Sequence, residues 1–501
     1  MPFILPVLVV LFASYCAYAV LSGHNSRSNK SIPLAHPLSS WTDLWILYRR
    51  WLGRENSTIW HAHKQLGPIV RLGPSEVSVN SLEGLEAIYT GNFDKHDFYS
   101  GFEQFGETNM FSELGQAPHL EKRKMLNTVY SKSYIMGSPE MRAILYEVIH
   151  GRMLTKLREY ARSGNTVEVF SFFSSTAMDM VSSWVFGQGS GTDFLNDSPE
   201  REQWQGSAKK LEPYFFYWLY MNKVVDFFDR LHLPFLPNWT IAEAEKQPAI
   251  CLSLCRNSAR RPLLSPPATV FSKLATSLTP TPSSLTFTSP HSLSPPEKRL
   301  AAEVLDHLLA GSDTTATTLL YLFHHLSLRP ALQSLLRTHL STLPRPSIST
   351  DPPELSPTFL RALDSLPLLD ALITESLRLN PPVPGSQPRL VPPRGVTLHS
   401  HPIAPGTRIS CSAYALHRNP HVFSQPEEWA YERWLDASEE EQRVMRRWFW
   451  GWGGGVRMCV GKAFAVLEMK VVVAVVFGES GGMGGMGWRD TDSIGWLLVV
   501  P

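Results

Sequence analysis

Residues 448–465 read WFWGWGGGVRMCVGKAFA, a glycine-rich loop that ends at Cys459 and opens an apolar helix over residues 462–477. The N-terminus of a helix carries about half a positive charge and several unpaired N–H donors, so it stabilises an anion. Because the Arg457 cation acts in the same direction, the loop predicts a lowered pKa and a thiolate at Cys459. The glycines have no Cβ and let the backbone approach a large flat group. A soft anionic ligand beside a flat group indicates haem iron bound by cysteine. On this loop alone, a buried free cysteine in a turn is the alternative.

The composition limits the class of protein. The chain has 501 residues, 43% of them apolar, which is enough for one large core or two smaller ones. Its net charge of +1 gives no electrostatic argument for nucleic-acid binding. The 5 cysteines are sparse and odd in number, which argues against a disulfide framework and fits a reducing compartment. No Cys or His pair near Cys251 and Cys255 completes a metal site, so we expect these two to be structural.

The N-terminal residues 1–23 carry no charge and are mostly aliphatic, which predicts a membrane anchor followed by a linker and entry segment over residues 24–62. The first cations, Arg27 and Lys30, follow the apolar stretch and place the body of the protein in the cytosol by the positive-inside rule. A cleaved signal peptide is the competing interpretation, since residues 17–19 (AYA) resemble a cleavage site. The absence of a basic segment before the apolar stretch favours the anchor.

The remaining chain, residues 63–501, is predicted to form one mainly α domain with a minor β part. Alternation and turn residues over 68–72 and 76–80 predict a β-hairpin, and most of the following chain has helical periodicity. Residues 262–297 are dominated by Ser, Thr, Pro and Leu, which predicts a low-complexity connector without secondary structure. A Gly/Met-rich stretch opens the final segment, residues 478–501, which is predicted to be an abbreviated tail.

A long helix candidate at residues 299–328 contains the sequence AGSDTT at residues 310–315. Glycine and small polar residues lower helix propensity, and threonine hydroxyls compete for carbonyls one turn back. The weakened helix predicts a groove for a small ligand and water. Asp313 beside Thr314 supplies an acid and an alcohol, the elements of a short proton relay. A helical bend with solvated threonines is the alternative for this segment alone.

Another helix carries Glu375 and Arg378, which are i, i+3 neighbours on one face and can pair. Arg433 offers a second cation in an aromatic setting downstream. A buried glutamate between two arginines would be a structural lock, and breaking it would be costly.

Taken in order, these motifs resemble the cytochrome P-450 family of haem-thiolate monooxygenases. The cysteine loop matches the family pattern at Gly455, Arg457, Cys459 and Gly461. The oxygen-groove pattern AGxDTT is present without exception, and Glu375, Arg378 and Arg433 match the lock. The order and spacing agree from about residue 64 to residue 475, and the local phrasing resembles filamentous-fungal members.

The resemblance implies the cytochrome P-450 fold, a triangular helical prism that encloses haem b, with Cys459 as the axial thiolate. It implies O2 as co-substrate, with Thr314 holding the dioxygen and Asp313 connecting it to solvent for proton delivery. Gly311 would leave room for O2 against the helix. Four cationic residues would bind the haem propionates, namely His119, Arg123, Arg389 and Arg457.

The resemblance further implies a monooxygenase of fungal secondary metabolism, anchored in the endoplasmic reticulum membrane with a cytosolic catalytic domain. No nucleotide-binding motif follows a strand, so electrons would come from an NADPH-cytochrome P-450 reductase, with cytochrome b5 as a further donor. Cations near the cysteine are either the docking face or a plain solvated surface, namely Lys124, Arg443, Arg446, Arg447 and Lys462. The substrate is expected to be a small apolar molecule entering from the membrane. Candidate pocket segments are residues 98–111, 214–220 and 383–387.

Three features depart from the family pattern. Trp452 stands where the family has phenylalanine, and its indole N–H is expected to pack against or donate to the sulfur. The connector and the short tail are the other two departures.

Two rival functions remain as alternatives to the monooxygenase: a haem-thiolate isomerase or dehydratase that needs no O2, and a non-catalytic remnant with poor haem binding. The Asp313–Thr314 pair disfavours the first.

Overall fold

We describe a computed structural model over residues 29, 31–196, 198–233, 235–261, 269–288, 292–344, 354–478 and 498–499. The predicted anchor at residues 1–23 and most of the predicted tail lie outside these ranges. Within them, no helix is both long and apolar enough to cross a membrane. The mainly helical architecture with a small β part agrees with the predicted fold class.

Helices make up most of the described chain. Those of the first half are α1 (Leu44–Trp51), α2 (Glu55–Leu66), α3 (Leu82–Leu85), α4 (Gln116–Leu126), α5 (Lys132–Gly137), α6 (Pro139–Leu145), α7 (Leu154–Ser163), α8 (Val169–Phe186), α9 (Pro199–Leu211), α10 (Phe215–Tyr220), α11 (Asn222–Arg230) and α12 (Trp239–Ala244). Those of the second half are α13 (Lys246–Ala259), α14 (Val270–Leu278), α15 (Pro295–Ser327), α16 (Pro330–Ser341), α17 (Pro357–Asp364), α18 (Pro367–Leu379), α19 (Ala413–Leu416), α20 (Arg433–Asp436), α21 (Glu439–Trp448) and α22 (Lys462–Phe477). Shorter π and 3-10 turns join them, including Glu86–Thr90, Asp97–Phe102, Tyr146–Met153 and Gly455–Arg457.

The β part consists of short strands, most of them within residues 69–79 and 389–410. They are β1 (Ile69–Gly73), β2 (Glu76–Val79), β3 (Val167–Glu168), β4 (Arg389–Leu390), β5 (Val396–Leu398), β6 (His401–Ile403), β7 (Arg408–Ser410) and β8 (Leu498–Val499). The predicted hairpin is confirmed: β1 and β2 pair antiparallel and belong to a sheet ordered β1-β2-β7-β4. Because β2 pairs parallel with β7, this sheet brings the early hairpin beside the segment that carries Arg389.

Helix α15 runs through the centre of the main core and packs along α8. Its start is fixed by a capping box in which Ser294 and Glu297 satisfy each other's backbone N–H groups, so it begins four residues before the predicted start. Backbone N–H groups of Phe287, Thr286 and Ser294 lower the pKa of Glu297 to about 2, although burial acts in the opposite direction. The anchored N-terminus sets the position of the Asp313 turn along the core.

The predicted connector at residues 262–297 is wrong in part, because it contains α14 and the first turn of α15. Thr269 and Ser272 form a capping box at the start of α14. Apolar side chains at Val270, Phe271 and Leu274 are buried in the main core. The hydroxyl-rich composition concealed an amphipathic helix, since Ser and Thr serve here as caps and as solvent-side residues.

Candidate active site

The cysteine loop is shaped by its glycines and by one backbone hydrogen bond. The N–H of Cys459 donates to the carbonyl of Trp452 at 2.9 Å, which closes the loop. Gly455 has φ +63°, and a Cβ on it would lie 2.5 Å from the carbonyl oxygen of Tyr89. Glycine is therefore required at this position by both conformation and close approach. Gly461 caps the start of α22.

The pKa of the Cys459 thiol is shifted in the direction opposite to the one that the sequence predicts. The side chain remains accessible on one side, but protein atoms crowd the sulfur elsewhere, and this burial raises the pKa of the thiol. The N–H groups of Gly461 and Lys462 and the Arg123 cation act in the opposite direction without prevailing. The prediction of a lowered pKa is wrong for the protein by itself, because the helix N-terminus does not offset the desolvation of the anion.

Two of the predicted arginines bind the cysteine loop and its surroundings. Arg457 donates to the backbone carbonyls of Glu113 and Leu114, each at 2.7 Å. Arg123 of α4 donates to the carbonyl of Met458 at 2.6 Å. Both guanidinium groups therefore lie at the cysteine loop and are held by carbonyl oxygens, without a carboxylate partner among the described residues.

Arg389 and His119 complete the predicted cationic set. Arg389 donates to the hydroxyl of Tyr99 at 3.1 Å and to the carbonyl of Pro388 at 2.9 Å. Its guanidinium lies 4.9 Å from the ring centroid of Tyr89. His119 is 3% exposed, and its Nδ1 has no hydrogen-bond partner among the described residues.

Lys95 is a further cation of this cluster that the sequence reasoning missed. It is 5% exposed, and its ammonium group donates to the carbonyl of Phe111. It lies 4.1 Å from the ring centroid of Tyr99. Burial is the main cause that lowers its pKa well below the usual range, and Arg389 and Arg457 lower it further. The neighbours of Lys95 in the sequence, Phe-Asp-Lys, form no motif that indicates a binding role. Its burial in the folded structure is the only signal of that role.

The electrostatics of the cluster indicate a missing anion. Burial and then the charges of Arg457, Lys95, Arg123 and Arg389 lower the pKa of His119 to about 3. Burial and the charge of Arg389 lower the pKa of Arg457 to about 10. Mutual repulsion among buried cations is unfavourable unless a ligand supplies negative charge. Two carboxylates of the size of haem propionates fit this donor set.

On α15, Asp313 and Thr314 lie together on an accessible turn of an otherwise largely buried helix. The hydroxyl of Thr314 donates to the carbonyl of Ala310 at 2.7 Å, as expected for a threonine that competes for carbonyls of its own helix. Oδ1 of Asp313 accepts from the hydroxyl of Ser174 on α8 at 2.9 Å. Burial raises the pKa of Asp313, and the Ser174 hydrogen bond lowers it.

Gly311 lies at a close contact between α15 and α8. A Cβ on Gly311 would lie 2.7 Å from a methyl group of Val181 on α8. Gly311 therefore permits close packing of two helices, and its role in making room for O2 stays a prediction.

The predicted lock is present in the structure. Glu375 and Arg378 are both 0% exposed, and Arg378 donates two hydrogen bonds of 2.8 Å to the carboxylate. Arg433 donates to Oε1 at 3.1 Å, while the indole N–H of Trp434 donates to Oε2 at 2.9 Å. The backbone N–H of Ala430 adds a bond of 2.8 Å. The carboxylate is thus fully satisfied, and it ties α18 to the segment before the cysteine loop.

A cavity of about 900 Å³ lies beside Cys459. Of the predicted docking cations, Arg446 and Lys462 line it, whereas Arg443 and Arg447 are paired with Glu440 at 2.7 Å and Glu86 at 2.6 Å. Neither Asp313 nor Thr314 lines this cavity. The side chain of Trp452 lines it, and no hydrogen bond from its indole to the sulfur is present among the described contacts.

Two of the predicted pocket segments meet. The ring of Phe98 lies 5.3 Å from that of Tyr220, and Gly101 packs against Leu219. Phe111 is 41% exposed. Residues 98–111 therefore form an aromatic wall with α10, close to the cationic cluster through Tyr99.

Comparison with known proteins gives one consistent family. The family model described as Cytochrome P450 matches residues 42–478. The cytochrome P450 monooxygenase FGM1 of Gibberella zeae is 27% identical, covering 94% of this chain and 91% of the relative. The monooxygenase hkm5 of Aspergillus hancockii is 26% identical over 89% of this chain and 83% of its own length. The monooxygenase tazI of Aspergillus terreus is 26% identical over 89% and 86%.

Proposed function

The chain belongs to the cytochrome P450 family of monooxygenases, which use haem iron and O2, and on this premise we propose that Cys459 is the axial ligand of the iron. The observation that carries the proposal is the accessible cysteine at the N-terminus of α22, next to a cluster of cations that, among the described residues, have no carboxylate within ion-pair distance. Asp94, Glu113 and Asp306 lie farther away and offset only part of the positive charge on Lys95 and Arg457. When bound, haem with a thiolate ligand supplies the oxygen-cleaving chemistry.

We assign the propionate-binding role to Arg457, Arg389, His119 and Lys95. Support comes from the unpartnered Nδ1 of His119 and from the repulsion that lowers the pKa of Lys95. Arg123 donates to the carbonyl of Met458 in the cysteine loop, so it stabilises the loop and a negative charge on the sulfur of Cys459.

We assign substrate positioning and proton movement to the chain's own residues on the Asp313 turn of α15 and in the aromatic wall. Thr314 retains lone pairs on its hydroxyl for a bound partner, while Asp313 exchanges protons with solvent through its carboxyl group. The aromatic wall formed by Phe98, Phe102 and Phe111 favours a small apolar substrate and excludes water from one side. Similarity to fungal monooxygenases supports a role in fungal secondary metabolism.

The electron donor is proposed to be an NADPH-cytochrome P450 reductase, with cytochrome b5 as a further donor. The family implies a redox partner, and the cavity beside Cys459 is lined by Arg446 and Lys462, which form no ion pair within the described residues and suit an acidic flavoprotein surface. Arg443 and Arg447 are already paired, so we expect them to contribute less than the sequence suggests.

Attachment to the endoplasmic reticulum membrane through residues 1–23 also stays a proposal. Its support is the apolar N-terminal sequence and a set of exposed apolar side chains on α1 and around α11, where Trp and Tyr suit the membrane interface. These side chains are Trp41, Tyr48, Trp51, Phe227, Leu231 and Leu233. Carbonate extraction of microsomes, with mass analysis of the N-terminus, separates an intact anchor from a cleaved signal peptide.

The central test is a carbon monoxide difference spectrum of the reduced full-length protein. We expect the Soret band of thiolate-ligated haem, and its loss in Cys459→Ala. Failure to incorporate haem would overturn the proposal and favour a non-catalytic remnant. Reductase-dependent NADPH consumption that requires O2 then separates a monooxygenase from an isomerase or dehydratase.

A further inference from the structure

Helix α8 carries several buried hydroxyl groups, and one of them is used differently from its neighbours. Ser175 donates to the carbonyl of Ser171 at 2.7 Å, and Thr176 donates to the carbonyl four residues back at 2.9 Å. As donors, both hydroxyls therefore bond within their own helix, and Ser175 also accepts from Nε2 of Gln205 on α9 at 3.2 Å. Ser174 instead reaches across the interface and donates to Oδ1 of Asp313 at 2.9 Å. Ser174 is only 2% exposed, so this hydrogen bond joins a buried hydroxyl of α8 to a more accessible carboxyl of α15.

The partner of Asp313 is neutral, which sets this carboxyl apart from the ion-paired acids of the chain. Among the described residues, no cation lies within ion-pair distance of Asp313, and no charged group is among the causes of its pKa shift. Oδ1 is held by Ser174, whereas Oδ2 has no hydrogen-bond partner in the described part of the chain. The side chain is accessible on the same turn as Thr314. The carboxyl group thus has one fixed oxygen and one free oxygen.

We propose that Ser174 is a positioning residue for proton delivery by Asp313, because it fixes Oδ1 and leaves Oδ2 free on the accessible turn that also carries Thr314. Oδ2 releases its proton into a hydrogen-bonded relay that includes the Thr314 hydroxyl and ends at the oxygen co-substrate once the redox partner has reduced it. Oδ2 then regains a proton from solvent water, so that the carboxyl returns to its starting state. Ser174 keeps its own proton throughout and only orients the acid. This inference rests on the proposed function but adds a residue from α8 that no motif of the oxygen-groove helix includes.

Ser174→Ala in the haem-loaded full-length protein removes the hydrogen bond with little change in volume. The Ser174 bond lowers the pKa of Asp313, so its loss raises that pKa. We expect the infrared carboxyl band of Asp313, identified by its absence in Asp313→Asn, to titrate at higher pH. With reductase and NADPH but no added substrate, we expect the solvent deuterium isotope effect on NADPH oxidation to rise and the rate of NADPH oxidation to fall about tenfold. This fall is smaller than the roughly 10²–10⁴-fold rate contribution of a positioned general acid, because Asp313 itself is still present.

Ser175→Ala is the matched control, since Ser175 is equally buried on the same helix and neither of its two hydrogen bonds, to the Ser171 carbonyl and from the Gln205 side chain, involves Asp313. Ser174→Thr keeps a hydroxyl and is expected to restore the infrared titration and the isotope effect. If Ser174→Ala and Ser175→Ala behave alike in both measurements while their carbon monoxide spectra are normal, the inference is overturned and the proposed function stands. A missing haem spectrum in the unmodified protein would instead overturn the proposed function.

Discussion

Gly311 of α15 lies so close to Val181 of α8 that a Cβ at position 311 would be 2.7 Å from a methyl group of the valine. The glycine thus sets the distance between the two helices that carry Asp313 and Ser174. Tight approach of α8 is a condition for the Ser174–Asp313 hydrogen bond, since a serine side chain reaches only a short distance.

Gly311→Ala is therefore expected to destabilise the protein by about 1–3 kcal/mol through overpacking, although alanine favours a helix. The measurement is the free energy of unfolding by chemical denaturation. Gly206→Ala on α9 is the matched control, because no atom lies within 4 Å of its Cβ position, and we expect it to be neutral or slightly stabilising. A double variant with Val181→Ala should recover only part of the loss, because the Cβ of residue 181 would still lie 2.9 Å from the added Cβ. No recovery would show that the clash lies elsewhere.

Glu375→Gln removes the charge from the lock and leaves the Arg378 and Arg433 guanidinium groups without their carboxylate. Breaking a buried pair in this way costs about 3–5 kcal/mol, so we expect a large fall in soluble, haem-containing protein. Haem content per polypeptide and thermal denaturation measure it. Arg443→Ala breaks an exposed pair with Glu440 and should leave both quantities unchanged. Equal effects of the two substitutions would contradict a special role for the buried pair.

Lys95→Met tests the cation that the sequence reasoning missed. A hydrogen bond to a charged group contributes about 1.5–3 kcal/mol, so haem should dissociate about 10- to 100-fold faster. Transfer of haem to apomyoglobin, followed by absorbance, measures this rate. The exposed Lys64→Met on α2 is the control. An unchanged rate in Lys95→Met would remove this lysine from the propionate set.

His63 gives a pH-dependent stability that is independent of the haem site. Its Nε2 contacts the hydroxyl of Ser78 at 2.8 Å and its Nδ1 the carbonyl of Gly67 at 2.9 Å. Burial lowers its pKa from 6.5 to about 4. Between these values the unfolded chain binds the extra proton, so stability falls as the pH falls from 6.5 toward 4, by up to about 3 kcal/mol.

The contribution of His63 is isolated by comparing the wild type with His63→Gln, because buried acids such as Asp179, with a pKa raised to about 6, change stability in the opposite direction. The difference between the two unfolding free energies should narrow as the pH falls through this window. If the difference in unfolding free energy did not change with pH, folding would not lower the pKa of His63.

Local motifs with fixed spacing could be predicted from the sequence. The β1–β2 hairpin, the range of α22, and the pairing of Glu375 with Arg378 and Arg433 all agree with the sequence-based predictions. Each depends on short-range periodicity, on turn residues or on a motif whose members recur at known distances. Helix α14 was missed because its serines and threonines mimic a loop.

By itself, the sequence determined the family, and it predicted the axial cysteine and the acid–alcohol pair, since all of these rest on the order of motifs along the chain. Tertiary structure alone decided that Lys95 joins the cationic cluster, that Gly311 packs against Val181, and that Ser174 holds Asp313. Tertiary structure also reversed the expected pKa shift of Cys459. These features depend on burial and on contacts between distant segments, and neither desolvation nor helix-to-helix distance can be read from residue spacing.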